Sequence, residues 1–244
     1  MEYLDNNNVA CFLTLTYDND HLPSGGTLVK RDVQLFNKRL RKRLTYRYYF
    51  AGEYGDTTHR PHYHAILFGV DVADLKLLHA GYDPLSHGWF GHLSEWPLGG
   101  VYVGGCTPQS CEYVAGYVLK KVTGKSSEKY YADRGVIPEF AMMSRRPGIG
   151  FEWALKNKGR LLRLGDGRHK MKGNGVCDYQ FLDRSIEDKL CPPGSDERII
   201  RDEKKKLVVS RLSGDALDDI NVPYYDRAQQ IKHDLESKKR SRKL

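Results

Sequence analysis

Residues 46–70 read YRYYFAGEY, GDTTHRP and HYHAILFGV: two runs dense in aromatic and β-branched residues around a spacer of turn formers. Runs of that composition are strands, and the Gly, Asp and Pro between them close an antiparallel hairpin. A hairpin needs further elements to cover it, and its neighbours supply them. CFLTLTY (11–17) reads as a strand ended by DND and PSGG. From Lys30, RDVQLFNKRLRKRL (31–44) places Val33, Phe36 and Leu40 at helical spacing, with cations on the other faces.

Residues 71–79 read as a short helix, 80–100 as a Gly- and Trp-rich loop, and VYVGG (101–105) as a strand. TPQSCEYVAGYVLKKVTG (107–124) opens on Thr107-Pro108 and ends on a glycine, the start and stop signals of a helix. The order β-α-β-β-(α)-β-α predicts an α+β fold, a central antiparallel sheet with flanking helices, over residues 1–125. Residues 126–225 read as a basic extension, with SRRPGIG (144–150) and LGDGRHKMKGNG (164–175) as loops. Residues 226–244 read as a basic, flexible tail.

A chain of 244 residues with 40% hydrophobic residues has enough apolar material for a core. Its net charge of +8 and 16 tyrosines suit a polyanionic partner, nucleic acid first. The first residues carry neither a basic region nor an apolar stretch of a secretion signal, and no apolar run reaches about 18 residues. Neither secretion nor a membrane partner is expected. Five scattered cysteines without a CxxC indicate no disulfide framework and no usual zinc site, so a reducing cytoplasm is the expected compartment.

His62 and His64 stand at i and i+2 of the third strand and therefore on one face, which suits a metal ion. Nine histidines would give roughly 0.3 such pairs by chance. The pair gains weight from Glu53, nine residues earlier on the facing strand, whose carboxylate the hairpin can bring beside the imidazoles. Two imidazoles and a carboxylate leave positions open on Mg²⁺ or Mn²⁺ for a phosphate oxygen. Ordinary strand histidines are the alternative, and His59 in the loop is a substitute ligand.

Tyr113 and Tyr117 lie at i and i+4 on one helical face, followed by Lys120 and Lys121. Sixteen tyrosines give roughly one such pair by chance, so an aromatic stripe against the sheet stays open as a reading.

Taken in order, T-L-T-Y, E-Y-G with H-Y-H, and Y-V-A-G-Y-V-L-K-K resemble the three motifs of the HUH endonucleases. FLTLTYDNDHLP (12–23), GEYGDTTHRPHYHAILFG (52–69), YVAGYVLKKVTGK (113–125) and MSRRPGIG (143–150) are similar to stretches of the rolling-circle replication initiators of gokushovirus-like microviruses. The resemblance covers residues 11–150 and implies an RRM-like or ferredoxin-like variant of the sheet. It implies a site-specific single-strand endonuclease and strand transferase, nicking a viral origin in the host bacterial cytoplasm. On that resemblance Glu53, His62 and His64 hold the ion. Tyr113 or Tyr117 forms a 5′-phosphotyrosine, Lys120 and Lys121 help the phenolate and the charged phosphate, and Thr14 and Thr16 line the site.

Two departures stand out: Gly116 occupies the place before the second tyrosine where relatives often carry a basic residue, and the first strand begins by residue 11, where relatives usually have a longer leader. Part of the DNA-binding surface is therefore expected to lie outside these residues.

Single-stranded DNA is the expected partner, with host helicase and polymerase as further ones. Lys38, Arg39, Arg41, Lys42 and Arg43 of the basic helix, Tyr46, Tyr48 and Tyr49 after it, and Arg145 and Arg146 are the expected DNA contacts. Arg160, Arg163, Arg168, Lys170 and Lys172 could extend that surface. Two alternatives remain: a transposase or relaxase of the same superfamily, and a nucleic-acid-binding module without catalysis.

Overall fold

Strand β1 (Ala10–Thr16) alternates fully buried Cys11, Leu13 and Leu15 with the more open Phe12, Thr14 and Thr16. This period-two pattern belongs to a strand with different surroundings on its two faces. In this computed structural model, which describes residues 5–116, 127–162, 168–173 and 176–212, β1 lies at the centre of a seven-stranded sheet. On one side it pairs with β3 (Pro61–Phe68), which pairs with β2 (Arg47–Tyr54), and β7 (Phe140–Met143) closes that edge. On the other side come β6 (Trp96–Gly105), β5 (Gly88–Leu93) and β4 (Leu78–Asp83). Every neighbouring pair is antiparallel, so the fold is α+β with a central antiparallel sheet, as the order of elements predicts.

Helix α1 (Lys30–Leu40) packs Val33, Phe36 and Leu40, all fully buried, on the face that carries Leu13, Leu15 and Phe50. Phe36 meets Phe50 and Trp96 edge-on at 6.1 Å. Helix α2 (Pro108–Gly116) starts at Thr107, whose hydroxyl accepts from the Ser110 N–H at 3.1 Å, and sets Val114 on the opposite face among Ala51, Ile66 and Phe68.

Four details differ from the sequence reading. The basic helix ends at Leu40, and Arg41 to Arg43 form the following turn. Residues 71–79 hold only a 3-10 turn, Val72–Leu75, capped by Asp71, before β4 begins. Residues 80–100 are not a loop: they contain β5, the end of β4 and the start of β6. Their glycines mark close packing, since a Cβ on Gly88 would stand 2.3 Å from the Tyr102 ring. Within the expected loop 164–175, β8 (Arg168–Gly173) pairs with β9 (Val176–Phe181).

Contacts divide the chain into two compact units, Met1–Trp153 and Ala154–Leu244. The first also holds α3 (Ser127–Arg134), and α4 (Phe151–Lys156) straddles the boundary. The second holds α5 (Lys158–Leu161), the β8–β9 hairpin, α6 (Arg184–Leu190) and α7 (Asp196–Leu212). There, buried Glu187 of α6 pairs with Arg198, Arg201 and Lys205 of α7 at 3.3–3.7 Å. Among the described residues no helix is long and apolar enough to cross a membrane.

Candidate active site

The hairpin register decides the site. Glu53 stands directly opposite His62, Ala51 opposite His64, and on the other side of β3 Thr16 and Thr14 face the same two histidines. Directly paired residues point to one face, so carboxylate, imidazoles and hydroxyls share it.

Both imidazoles aim Nε2 at the same carboxylate oxygen, Glu53 Oε1, His62 at 2.7 Å and His64 at 3.2 Å. Their other nitrogens are held from behind: His62 Nδ1–H donates to the Arg60 carbonyl at 3.1 Å, and His64 Nδ1 shares a 3.0 Å hydrogen bond with the Thr14 hydroxyl. An outer partner on the second nitrogen is how metal-binding histidines are oriented. The three ligand atoms lie within 4.8 Å of one another, with Glu53 and His64 buried and His62 half-buried. Burial pushes the Glu53 carboxyl up, but the hydrogen bonds from His62 and His64 outweigh it and hold the group down at about 2. An anionic oxygen with two imidazole nitrogens is a donor set that fits a divalent ion and leaves part of its sphere open. His59 sits exposed in the hairpin loop and is not one of the grouped ligands.

Tyr113 of α2 lies beside this group, its ring 5.5 Å from His64 and 6.2 Å from Phe12. The tyrosine is 55% exposed, so its ring edge is open to a large substrate. Phe12 stacks on His64 at 5.6 Å and completes an aromatic wall. Phe12 escapes the sequence reading although it shares the alternation that singles out Thr14 and Thr16. Tyr117, Lys120, Lys121 and Arg163 lie outside the described residues.

The expected DNA contacts fall into separate groups. Thr14 and Thr16 sit on the face of the histidines, Thr16 donating to the Gly100 carbonyl at 3.0 Å. Helix α1 and the turn after it lie against the other face. There Arg43 pairs with Glu95 at 2.9 Å, Arg39 donates to the Glu95 carbonyl at 3.2 Å, and Arg41 covers the Tyr46 and Tyr48 rings. Lys38 and Lys42 are exposed. Tyr46 is buried, its hydroxyl donating to Asn37 Oδ1 at 2.6 Å, and Tyr48 packs against the core, so neither is an open stacking platform. Tyr49 is partly buried beneath α2. Arg145 and Arg146 are exposed in the turn after β7, at the sheet edge. Arg160 is exposed on α5, and Arg168, Lys170 and Lys172 fall on β8.

Residues 10–122 match the family model of the ORF2-type replication-associated proteins. The chain is 33% identical over 158 residues to replication-associated protein VP4 of Bdellovibrio phage phiMH2K, covering 59% of this chain and 48% of that relative. It is 30% identical over 165 residues to replication-associated protein ORF2 of Spiroplasma virus 4, covering 62% and 49%. With replication-associated protein ORF4 of Chlamydia phage 1 it shares 37% identity over 125 residues, covering 45% and 30%. The chain thus spans about half, or less, of the length of the curated relatives it matches. No solved structure matches it. The matched stretch takes in β1, the Glu53–His62–His64 hairpin and α2 with Tyr113, so residues 10–122 belong to the family of ORF2-type replication-associated proteins.

Proposed function

We propose that the protein is a rolling-circle replication initiator that nicks and rejoins single-stranded DNA at a phage origin, inside the infected bacterial cell. The observation that carries this reading is the convergence of Glu53, His62 and His64 on one point beside an exposed tyrosine. Glu53, His62 and His64 would hold Mg²⁺ or Mn²⁺, which when bound supplies Lewis-acid polarisation of the scissile phosphate.

The chain's own residues carry the rest. Thr14 and the Arg60 carbonyl fix the two imidazoles, and Tyr113 or Tyr117 presents its phenol oxygen to the phosphorus. A bond forms from tyrosine Oη to phosphorus as the bond to the 3′ oxygen breaks. The phenol proton passes to solvent, the 3′ oxygen gains one, and a 5′-phosphotyrosine and a free 3′-OH result. Because the ester keeps the phosphodiester's energy, the same residues can rejoin ends by the reverse attack. Lys120 and Lys121 would lower the cost of the phenolate and of the charged phosphate. The origin strand is the substrate, and a host helicase and polymerase would follow the nick.

The test is cleavage of a labelled origin oligonucleotide by wild type, His62→Ala and His64→Ala over a Mg²⁺ and Mn²⁺ series. Both variants are expected to lose nicking while keeping fold and most single-strand affinity, because phosphate contacts dominate affinity. Nicking at the wild-type rate by either variant, or with EDTA present, would refute the metal-dependent reading.

A further inference from the structure

Beyond the Glu53–His62–His64 group, one row of residues runs from it to the sheet edge. His64 faces Thr14, Thr14 faces Tyr102, Tyr102 faces Phe90, and Phe90 faces Gly81. Since each pair is directly opposed, the whole row projects from the face that carries the histidines. Successive strands are about 4.8 Å apart, which puts Phe90 about 14 Å from His64. Over this row the surface sinks into a groove of about 570 Å³ whose walls include Thr14, Thr16, Phe90, His92 and Tyr102.

The aromatic pair in the groove is oriented, not loose. The Tyr102 hydroxyl donates to the Ser86 carbonyl at 2.9 Å, and its ring lies over Gly88, where any Cβ would collide at 2.3 Å. Phe90 meets that ring at a centroid distance of 5.0 Å, yet remains 52% exposed. A phenyl ring left half in water next to an open groove is available to a flat apolar partner. Gly81 lies at the outer end, and among the described residues a Cβ there would meet nothing within 4 Å. The space beside Phe90 is therefore open at that end.

We propose that this groove binds the single-stranded DNA that flanks the scissile phosphate, with a base stacked on Phe90 against the Tyr102 wall. The inference rests on the nicking reading for the direction of the strand. Three features favour DNA as occupant: the groove is continuous with the histidines through Thr14, the chain carries a net charge of +8, and its half-exposed aromatic surface matches the stacking platforms of single-strand binders. A duplex keeps its bases stacked internally and does not offer them to Phe90, so the groove should select single strands.

The test is the affinity of the full chain for fluorescein-labelled oligo(dT), measured by anisotropy in EDTA, for wild type, Phe90→Ala, Phe90→Tyr and Gly81→Phe. Phe90→Ala is expected to bind roughly five- to a hundredfold more weakly, the usual effect of losing one stacked base. Phe90→Tyr should retain near wild-type affinity, and Gly81→Phe should weaken binding by filling the groove. Oligo(dT) carrying 2-aminopurine should show stacking-induced quenching with wild type and Phe90→Tyr and lose it with Phe90→Ala. Mn²⁺ binding and the thermal midpoint of Phe90→Ala should match wild type, which excludes a folding defect. Unchanged affinity in both Phe90→Ala and Gly81→Phe would overturn the groove even if the wild type nicks DNA. Conversely, weaker binding in these variants with a wild type that never nicks would uphold the groove and sink the nicking reading.

Discussion

Glu53 is the residue on which the site turns, because one of its oxygens accepts from both imidazoles. Glu53→Gln keeps the shape and removes the charge. It is expected to raise the Mn²⁺ concentration needed for half-maximal nicking at least about tenfold, the scale of losing one ligand contact. Coincident metal titrations for variant and wild type would place the third ligand elsewhere. The same carboxyl has an acid signature. Its folded-state value is held at about 2, below the ordinary 4.5, so its stabilising effect is complete above about 4.5 and disappears as the pH falls towards 2. In EDTA, wild type should lose stability through that window more steeply than Glu53→Gln, as read by thermal midpoint against pH. Parallel curves would contradict the geometry. This group was legible in the sequence because period two fixes which residues of a strand share a face, and because a short loop restricts how strands pair. Neither rule reports the outer hydrogen bonds from Thr14 and the Arg60 carbonyl, which depend on β1 and the loop folding back.

Among the elements, β1, β2, β3 and α1 follow directly from composition and periodicity, whereas β4 and β5 do not. Their glycines read as loop punctuation, and Gly88 shows why that reading fails: it is glycine because the Tyr102 ring occupies the place of its side chain. Such a requirement comes from the neighbouring strand β6 and leaves no local trace. Gly88→Ala is expected to cost about 1–3 kcal/mol through the displaced ring, measured by urea unfolding. A variant as stable as wild type would show that the ring moves freely. Helix α1 illustrates a different limit. Its basic residues are plain in the sequence, but only the sheet register shows that they lie across the sheet from the histidines, with Arg39 and Arg43 fastening the helix to the turn at Glu95.

At the scale of the whole molecule, the cations remote from the histidines are a matter of affinity and the polar cluster is a matter of chemistry. Single-strand affinity should fall linearly with the logarithm of salt concentration, and each phosphate contact removed should flatten that slope by about 0.7. Lys38→Ala with Lys42→Ala is expected to flatten it if the DNA wraps to that face; an unchanged slope would confine the DNA to the face of the histidines. The salt series thus maps how far the nucleic acid extends over the first unit.

The most direct measurement is the identity of the residue that becomes linked to DNA. Wild type, Tyr113→Phe, Tyr117→Phe and the double variant would each be incubated with a labelled origin oligonucleotide and Mn²⁺, and the adduct digested and mapped by mass spectrometry. The account predicts a phosphotyrosine at Tyr113 or Tyr117 in wild type, residual cleavage in each single variant, and neither adduct nor cleavage when both tyrosines are replaced. Cleavage at the wild-type rate by the double variant, without any adduct, would contradict it and leave water as the attacking group.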